Sequence, residues 1–315
     1  RVINNEARVT PETRARVNLA ISELGYRPNA IARSMARGRT FTLSAIVQNL
    51  TDYTFAAIIE GAEAECRRRG YFLLTSSAPD PHDVTARIEQ LAWHRRVDGI
   101  LIFDPSVHPD QLPENFPLVM ITPPVPSSKI HSIALDNQAC AELVTRHLLE
   151  LGHTRIGHIT GPATERAAID RQTGFLNTLC RAGVTPCAAW LIEGDWSATS
   201  GYQGFQKLAE TGEMPSAVFA QNDRMAIGLI RAAGDAGLCV PSDLSVIGFD
   251  DMPLASYFVP PLTTCPQNMG AIGAAAADLL IQAVENPSLP TQHVLLPPSA
   301  LVIRASTTRF TEGGD

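Results

Sequence analysis

Long apolar runs are missing from this chain of 315 residues. No window approaches the ~18 uninterrupted apolar residues of a membrane-spanning helix, and the opening RVINNEARVT lacks the apolar core of a signal peptide. The six cysteines are scattered without a C-x-x-C pair, so neither a zinc site nor a redox motif is indicated, and we expect buried thiols. These absences predict a cytoplasmic protein with no metal, no cofactor and no membrane partner.

Signature motifs of common enzymes are missing as well. The sequence has no G-x-S-x-G, no P-loop, no H-E-x-x-H and no G-x-G-x-x-G after a strand. His153 and His158 lie before and inside the run RIGHIT, but no third ligand accompanies them, so we expect structural roles. A fold alone does not exclude catalysis. Because the motifs are absent, we predict that the chain is not an enzyme.

Charge is distributed unevenly along the chain. The formal net charge is −7, but residues 1–39 carry eight arginines against three glutamates, a net of +5, which leaves −12 for the rest. A basic head on an acidic body favours contact between the head and a polyanion such as nucleic acid. A solvated basic tail is the alternative on charge alone.

From residue 41 onward, short apolar runs alternate with stretches of helical periodicity. The runs DGILIF (98–103), RIGHIT (155–160) and LSVIGF (244–249) predict strands, and a helix is predicted at about 137–151. Strands that alternate with helices of 10–15 residues are typical of parallel, doubly wound sheets. Two groups of such units, divided near residue 150, predict an α/β fold of two lobes with a ligand cleft between them.

Predicted domain boundaries follow from this division. The first lobe is expected at residues 40–149, completed by about 269–292, and the second at 150–268, completed by about 293–310. Residues 1–36 are expected to form a small all-α head. In this head, Thr10 and Pro11 start a helix with a preferred N-cap and a proline in its first turn, and Gly25 ends the helix.

The run RVINNEARVTPETRARVNLAISELGYRPNAIARSMARGRT resembles the DNA-binding head of the LacI/GalR (lactose-repressor) family of transcriptional regulators. The similarity continues through DGILIF, DNQACAELVTRHLLELGHTRIGHITGP, GDWSATSGYQGF, AQNDRMAIG, SVIGFDD and PLTTC. It implies a helix-turn-helix head, a hinge helix that folds on DNA, and two lobes like those of periplasmic sugar-binding proteins. It also implies that the head is N-terminally truncated here, so we expect this chain not to bind an operator specifically.

The resemblance assigns DNA contacts to six positions. Arg1 and Asn4 match the end of the recognition helix, which reads the major groove. Met35 matches an apolar residue that wedges between base pairs in the minor groove, and Asn29, Ala32 and Arg33 match positions that face the groove or the backbone. A core contact within a short helix is the alternative role for Met35.

Ligands of doubly wound sheets bind beyond the carboxyl ends of the strands, and the family pattern selects polar residues there. Arg171 presents a rigid fork of donors that suits vicinal hydroxyls or a carboxylate. Asp250 accepts from hydroxyl groups, and Asn222 both donates and accepts. The alternatives are a surface arginine for Arg171, a helix cap for Asp250, and a turn former for Asn222.

Two aromatic positions complete the expected effector site. Trp196 offers a flat apolar face to a sugar ring, although a buried core role explains it equally well. Phe55 is expected to pack on the other face of the ligand. Asp136 lies near the lobe junction and ranks below these, because helix capping also explains it.

Two positions depart from the pattern of sugar-responsive relatives. Ile169 stands where many have an arginine, and Thr122-Pro123-Pro124 stands where Asp-Arg is usual. The effector is therefore not assigned to a galactoside or to any other named sugar. The marks at Trp196, Asn222 and Asp250 still favour a neutral polyhydroxyl ligand over a purine.

The resulting hypothesis is a homodimeric repressor that binds operator DNA under the control of a small carbohydrate effector. One alternative is the same regulator with a purine or a phosphorylated metabolite as effector. Another is a sugar-binding transport protein, against which the hinge and the lack of a signal sequence argue. Six residues follow Arg309, too few for a tetramerising heptad tail, so a dimer is expected.

Overall fold

Two parallel β-sheets flanked by helices form the body of the protein in a computed structural model. The structure describes residues 9–24, 38–78, 80–103, 112–113, 116–123 and 130–311. The described elements are, in chain order, α1 (Pro11–Glu23), β1 (Thr42–Val47), α2 (Tyr53–Arg68), β2 (Phe72–Ser77), α3 (Pro81–Trp93), β3 (Gly99–Phe103), β4 (Leu118–Ile121), β5 (His131–Leu135), α4 (Asn137–Glu150), β6 (Ile156–Thr160), α5 (Arg166–Arg181), β7 (Leu191–Glu193), α6 (Ala198–Glu210), β8 (Ala217–Ala220), α7 (Asp223–Asp235), β9 (Ser245–Asp250), β10 (Thr263–Pro266), α8 (Met269–Glu285) and β11 (His293–Leu296).

Helix α1 is the described part of the predicted head. It begins where the sequence predicts, because the Thr10 hydroxyl accepts a hydrogen bond from the backbone N–H of Thr13 and a proline stands in the first turn. Against the other described residues, none of its side chains is buried. The apolar face that ends at Leu24 is therefore open to a further element.

The two sheets confirm the predicted α/β architecture. The described strands of the first sheet have the order β11-β5-β4-β3-β1-β2, and those of the second have the order β10-β9-β8-β6-β7; strands within each sheet run parallel. Central strands such as β4 and β8 are buried along their whole length. Strands covered on both faces give continuous apolar runs rather than alternation, which is why the sequence revealed them.

Within the described residues, the chain crosses between the lobes three times. It leaves the first lobe after β5, returns after β10, and leaves again after β11. Helix α4 packs against α5 of the second lobe, and α8 packs against α2 of the first. After the third crossing, Val302 forms an antiparallel bridge with Thr264 of β10.

Two domain boundaries differ from the prediction. The sequence places α4 in the first lobe, which would end at residue 149, but the first crossing comes at about residue 136 because α4 packs on α5. The sequence assigns residues 293–310 to the second lobe, but β11 pairs with β5 of the first sheet. Periodicity shows which face of an element is apolar, and it does not show which lobe that face will cover.

The two histidines noted in the sequence serve the core of the second lobe. His158 is fully buried, stacks on Phe175 with ring centroids 4.3 Å apart, and hydrogen-bonds the Phe219 carbonyl through Nδ1. Burial lowers the pKa of His158 to about 3 and keeps the ring neutral. His153 bridges Ser216 and the Thr308 carbonyl. Both contacts are structural.

The cysteines are free thiols, and they are not all buried as expected. Cys66, Cys140 and Cys265 are buried, whereas Cys180 and Cys239 are exposed. In the part of the chain that the structure describes, no helix is long and apolar enough to cross a membrane.

Candidate effector site

A cleft of about 420 Å³ lies between the two lobes, at the carboxyl ends of strands from both sheets. This volume falls within the range of small-molecule sites. Among the described residues, its lining includes Asn49, Asp52, Phe55, Phe103 and Thr122 from the first lobe, Glu165, Arg166, Arg171, Asp195, Trp196, Asn222, Arg224 and Asp250 from the second, and Asn137 and Gln267 from the crossings. Every predicted effector residue except Asp136 therefore lies on this cleft.

Arg171 projects from α5 to the floor of the cleft, where it is buried. Its Nε donates to Asn137 Oδ1 at 2.8 Å, and its Nη1 donates to the Gln221 carbonyl. The guanidinium carbon lies 3.7 Å from the centroid of the Phe249 ring. Burial lowers the pKa of Arg171, and the charge of Asp250 opposes that change. Within the described part of the chain, neutral groups and a ring hold the cation through Nε and Nη1, and its remaining N–H groups are available to a ligand.

Asp250 ends strand β9 beside Arg171, in a strained backbone conformation. Its φ is 122°, a region that residues with a Cβ rarely adopt, and Asp251 follows with a φ of 56°. The carboxylate accepts a hydrogen bond from the side-chain amide of Gln267. Burial raises the pKa of Asp250 to about 6, and the positive charge of Arg171 opposes the rise. A buried cation and a buried anion thus line the same cleft floor, and each lies in the electrostatic field of the other.

Trp196 forms one wall of the cleft; it is half-buried and also packs against the hydrophobic core of the second lobe. Its indole Nε1 donates to Glu165 Oε2 at 3.0 Å, and its backbone has a φ of 70°. The ring lies flat against Gly161, where a Cβ would come within 2.1 Å of the indole. The Arg171 guanidinium lies 5.6 Å from the indole centroid. The aromatic ring therefore stands next to the charged floor of the cleft.

Two predicted polar residues act as helix caps. Asn222 caps α7: its Oδ1 accepts from the Met225 N–H at 2.8 Å, and its Nδ2 donates to the Trp196 carbonyl at 2.9 Å. It lines the cleft, but these contacts fix the wall rather than face a ligand. Asp136 caps α4 by accepting from the Ala139 N–H, and it does not line the cleft. For Asp136 the capping alternative is the one that the geometry supports.

Phe55 supplies an aromatic surface from the first lobe. It lies in the first turn of α2 and packs edge-on against Phe103, with ring centroids 4.8 Å apart. Both rings line the cleft opposite the second lobe. Aromatic surfaces therefore reach the cleft from both lobes.

Several polar residues of the cleft were not predicted from the sequence, among them Asn137, Gln267 and Arg224. Asn137 directly follows Asp136, and Gln267 directly follows β10, so the strand-end rule applied to β10 would have found Gln267. Arg224 lies 2.8 Å from Asp52 of the other lobe. No local pattern reveals that contact, because its partner is distant in the sequence.

The predicted DNA contacts at Arg1, Asn4, Asn29, Ala32, Arg33 and Met35 lie outside the described residues. Within those residues, no group of three His, Cys, Asp or Glu side chains is placed to hold a metal ion.

Two doubly wound lobes joined by three crossings, with a polar and aromatic cleft between them, define a ligand-binding core of the periplasmic-binding-protein type. Residues 145–307 match the model of the periplasmic binding protein-like domain, and residues 1–29 match that of the bacterial regulatory proteins, lacI family. The chain belongs to the LacI family of bacterial regulatory proteins.

Full-length relatives support this membership. The chain is 36% identical over 312 residues to the HTH-type transcriptional repressor PurR of Edwardsiella ictaluri, covering 97% of this chain and 91% of the relative. It is 34% identical over 303 residues to the ribose operon repressor of Escherichia coli strain K12, covering 94% and 92%. The solved lac repressor dimer bound to operator and the anti-inducer ONPF superposes with a TM-score of 0.86, at 29% identity over 98% of this chain and 94% of the other.

Proposed function

We propose that this protein is a homodimeric transcriptional repressor whose binding to operator DNA is controlled by a neutral sugar held in the cleft. The observation that carries the effector assignment is the buried pair on the cleft floor. Arg171 donates and Asp250 accepts, so together they match adjacent hydroxyl groups of a sugar, and the Trp196 ring beside them suits its apolar C–H face.

The charge balance of the cleft favours a neutral ligand over a phosphorylated one. Each lining arginine already has a carboxylate neighbour: Arg166 pairs with Asp170 at 2.9 Å, and Arg224 pairs with Asp52 at 2.8 Å. Arg171 lies in the field of Asp250. A phosphate dianion needs a surplus of positive charge, which these neighbours remove.

A flat nucleobase is the second candidate effector. The observation in its favour is the aromatic lining, in which Phe55 and Phe103 face the cleft from one lobe and Trp196 from the other. The Asn222 amide is engaged in capping and in a bond to the Trp196 carbonyl, so it does not discriminate between a nucleobase and a sugar. The family membership argues against a transport protein, because the relatives described above are repressors.

Operator binding and dimerisation are proposed from the family. The relative with the superposed structure is a dimer bound to operator, and residues 1–29 of this chain match the model of the bacterial regulatory proteins, lacI family. The effector acts by binding one arrangement of the lobes better than another, and such couplings are typically about 1–3 kcal/mol. The first lobe, which begins directly after the head at β1, would thereby report the occupied cleft to the hinge.

The test is a thermal-shift screen against neutral sugars, sugar phosphates and nucleobases. A ligand at about 100 times its dissociation constant adds about 2.7 kcal/mol of stability, which moves the midpoint clearly. We expect a neutral sugar to stabilise the protein, and we expect Arg171→Ala and Asp250→Ala to abolish the shift. If a nucleobase or a phosphorylated compound stabilises the protein and no neutral sugar does, the protein is still proposed as a regulator, but the assignment of a sugar effector is wrong.

A further inference from the structure

Two of the three crossings between the lobes place an amide side chain on the cleft. Asn137 stands at the first crossing, immediately after β5 and the cap residue Asp136. Gln267 stands at the second, between β10 and α8. Both side chains are buried, and both line the cleft. These are the segments about which the lobes must turn relative to each other.

Asn137 holds the cation of the cleft floor. Its Oδ1 accepts from Arg171 Nε at 2.8 Å, while its Nδ2 donates to the Leu135 carbonyl at the end of β5. The two bonds join α5 of the second lobe to the last residue of β5 in the first sheet through one side chain. A change in the position of Arg171 therefore alters the hydrogen bond of Asn137 at the first crossing.

Gln267 holds the anion in the same way. Its Nε2 donates to Asp250 Oδ1, and its backbone N–H donates to the Asp250 carbonyl at 3.4 Å. The next residue, Asn268, has a φ of 50° and begins the return to the first lobe. The two charges of the cleft floor are therefore each anchored to a different crossing.

Further hydrogen bonds tie the crossings to each other. The Asp136 N–H donates to the Leu296 carbonyl at 2.9 Å, which joins the first crossing to the start of the third. The Asn268 side chain donates to Ser299 Oγ at 2.5 Å, which joins the second crossing to the third. The three crossings thus form one connected unit beneath the cleft.

We propose that Asn137 and Gln267 are positioning residues that hold Arg171 and Asp250 for the effector and couple occupation of the cleft to the crossings. The inference rests on the proposed function, since it names how that site acts on the lobes. An effector that bonds to Arg171 and Asp250 changes the strength of both amide contacts, and a ligand shifts a conformation only through such differential interactions. The coupling is reciprocal, so a change at either end is detectable at the other.

The use of neutral amides fits this role. A carboxylate at position 137 would pair with Arg171 and neutralise the charge that faces the ligand. A cation at position 267 would do the same to Asp250. An amide orients each charge and leaves it available.

The first test is hydrogen exchange of the ligand-free protein, followed by mass spectrometry. Arg171→Met removes the donor to Asn137, and we expect backbone exchange in residues 136–140 to rise about tenfold, because a bond to a charged group is lost there. Ile169→Met, on the same helix but off the cleft, is the matched control and should change nothing. Arg171→Lys keeps the charge and loses the Nε bond, so it should reproduce the effect if the methionine variant folds poorly.

The outcomes of this test separate the proposal from general destabilisation. Faster exchange confined to the crossings supports it. Exchange at 136–140 within about twofold of the parent, or an equal acceleration across both lobes, overturns it.

A pH profile tests the Gln267 contact. Burial raises the pKa of Asp250 from 3.8 to about 6. Between these two pH values the folded protein holds a proton on Asp250 that the unfolded chain has lost, so the free energy of unfolding falls as pH rises through this window. Gln267→Met removes a hydrogen-bond donor that favours the charged form of Asp250, so the pKa of Asp250 should rise further. The loss in Tm should therefore be larger at pH 7.5, where the carboxylate is charged in the parent, than at pH 5. Asn137 contacts Arg171, which stays charged at both pH values, so the loss in Tm caused by Asn137→Met should be the same at pH 5 and at pH 7.5. The charged and titratable groups that act on Asp250 or on which it acts are Arg171, Asp52, Arg224, Asp223, Tyr53 and Cys265.

An equal loss for Gln267→Met at both pH values would overturn its assignment. Neither measurement uses a ligand, so failure of the sugar screen and failure of the coupling are seen separately. If no sugar stabilises the protein but Arg171→Met accelerates hydrogen exchange at the crossings, the sugar assignment is wrong and the coupling between the cleft floor and the crossings still holds.

Discussion

The guanidinium of Arg224 lies 2.8 Å from the carboxylate of Asp52 across the cleft, and this ion pair joins the two lobes. Asp52 serves two purposes, because its Oδ1 also caps α2 by accepting from the Thr54 N–H at 2.9 Å. Arg224 stands in the first turn of α7, where the helix dipole disfavours a positive charge. The contact therefore favours the arrangement of the lobes in which the two residues meet.

Breaking this ion pair should release the lobes with little loss of fold stability. Asp52→Asn keeps a good N-cap for α2 and removes the charge, so we expect the free energy of unfolding to fall by no more than about 1 kcal/mol. We expect the ligand-free protein to sample more open arrangements, seen as a larger radius of gyration by small-angle X-ray scattering. The same opening should appear in the parent as salt concentration rises.

The matched control for this variant is Asp235→Asn. Asp235 pairs with Arg231 one turn earlier on α7, within one lobe. It should lose a similar surface ion pair and keep the parental scattering profile. An Asp52→Asn profile that coincides with the parent would show that the ion pair does not hold the lobes.

Replacing Gly161 by alanine should displace the Trp196 ring. The added Cβ would lie 2.1 Å from the indole, closer than atoms can approach, so the ring must leave its place and its bond to Glu165. Overpacking of this kind costs about 1–3 kcal/mol. We expect a lower Tm, a changed tryptophan emission spectrum and weaker binding of any sugar found in the screen.

Gly234 provides the comparison, since a Cβ there meets nothing within 4 Å. Gly234→Ala lies within helix α7 and should stabilise the protein by about 1 kcal/mol through helix propensity. If Gly161→Ala behaves like Gly234→Ala, the packing of the indole on residue 161 is not required.

The local sequence pattern predicts most of the strands and helices. It fails where the position of an element depends on which other element it packs against. Strand β5, His131–Leu135, begins with a histidine and a serine and was not predicted, because its polar residues hide a strand that is buried at every position. Helix α4 shows a clear apolar face, but the choice of lobe depends on packing against α5. A strand of four residues such as β11 carries no mark of the sheet it joins.

The candidate site shows the same division. The strand-end rule and the family pattern found Phe55, Arg171, Trp196 and Asp250, whose positions follow from the element that carries them. Gln267 and Asn137 matter through contacts with residues 17 and 34 positions away. Arg224 meets Asp52 at a separation of 172 residues. A contact between distant residues is visible once the topology is known, and no single-sequence pattern encodes it.

A charged residue on the β2 edge should dissociate the proposed dimer. Phe72 and Leu74 are 77% and 51% exposed on β2, an edge strand of the first sheet, and Trp93 at the end of α3 is 86% exposed. Exposed apolar edges favour association. We expect Leu74→Lys to raise the dimer dissociation constant at least tenfold, which corresponds to about 1.4 kcal/mol, as measured by analytical ultracentrifugation.

Leu295 is a matched control for Leu74. It is also 51% exposed, and it lies on β11, at the opposite edge of the same sheet. Leu295→Lys should sediment like the parent. If Leu295→Lys dissociates the dimer and Leu74→Lys does not, the interface lies at the other edge.

Acid should weaken the second lobe through His158. The ring is enclosed by Phe175 and Phe219, and its Nε2 meets the side-chain amide of Gln221, whose Oε1 accepts from the Gly161 N–H beneath Trp196. Burial lowers the pKa of His158 from 6.5 to about 3, so between these pH values the unfolded chain binds a proton on this residue and the folded protein does not. This contribution is complete above pH 6.5 and is lost progressively as pH falls towards 3, to an upper limit of about 5 kcal/mol.

Replacing the histidine by glutamine should remove this acid sensitivity. His158→Gln keeps a donor and an acceptor but cannot take up a proton, so it should cost stability at pH 7.5 and then lose less than the parent between pH 6.5 and pH 4.5. Urea denaturation followed by circular dichroism measures both slopes, and His94→Gln, at an exposed position, serves as the control. Parallel decline of the parent and His158→Gln would place the acid sensitivity elsewhere, with the carboxylates as the next groups to examine. Steeper decline in the parent alone would mean that a buried neutral imidazole supports the Trp196 wall of the cleft, since the network from His158 through Gln221 ends at the glycine on which Trp196 packs.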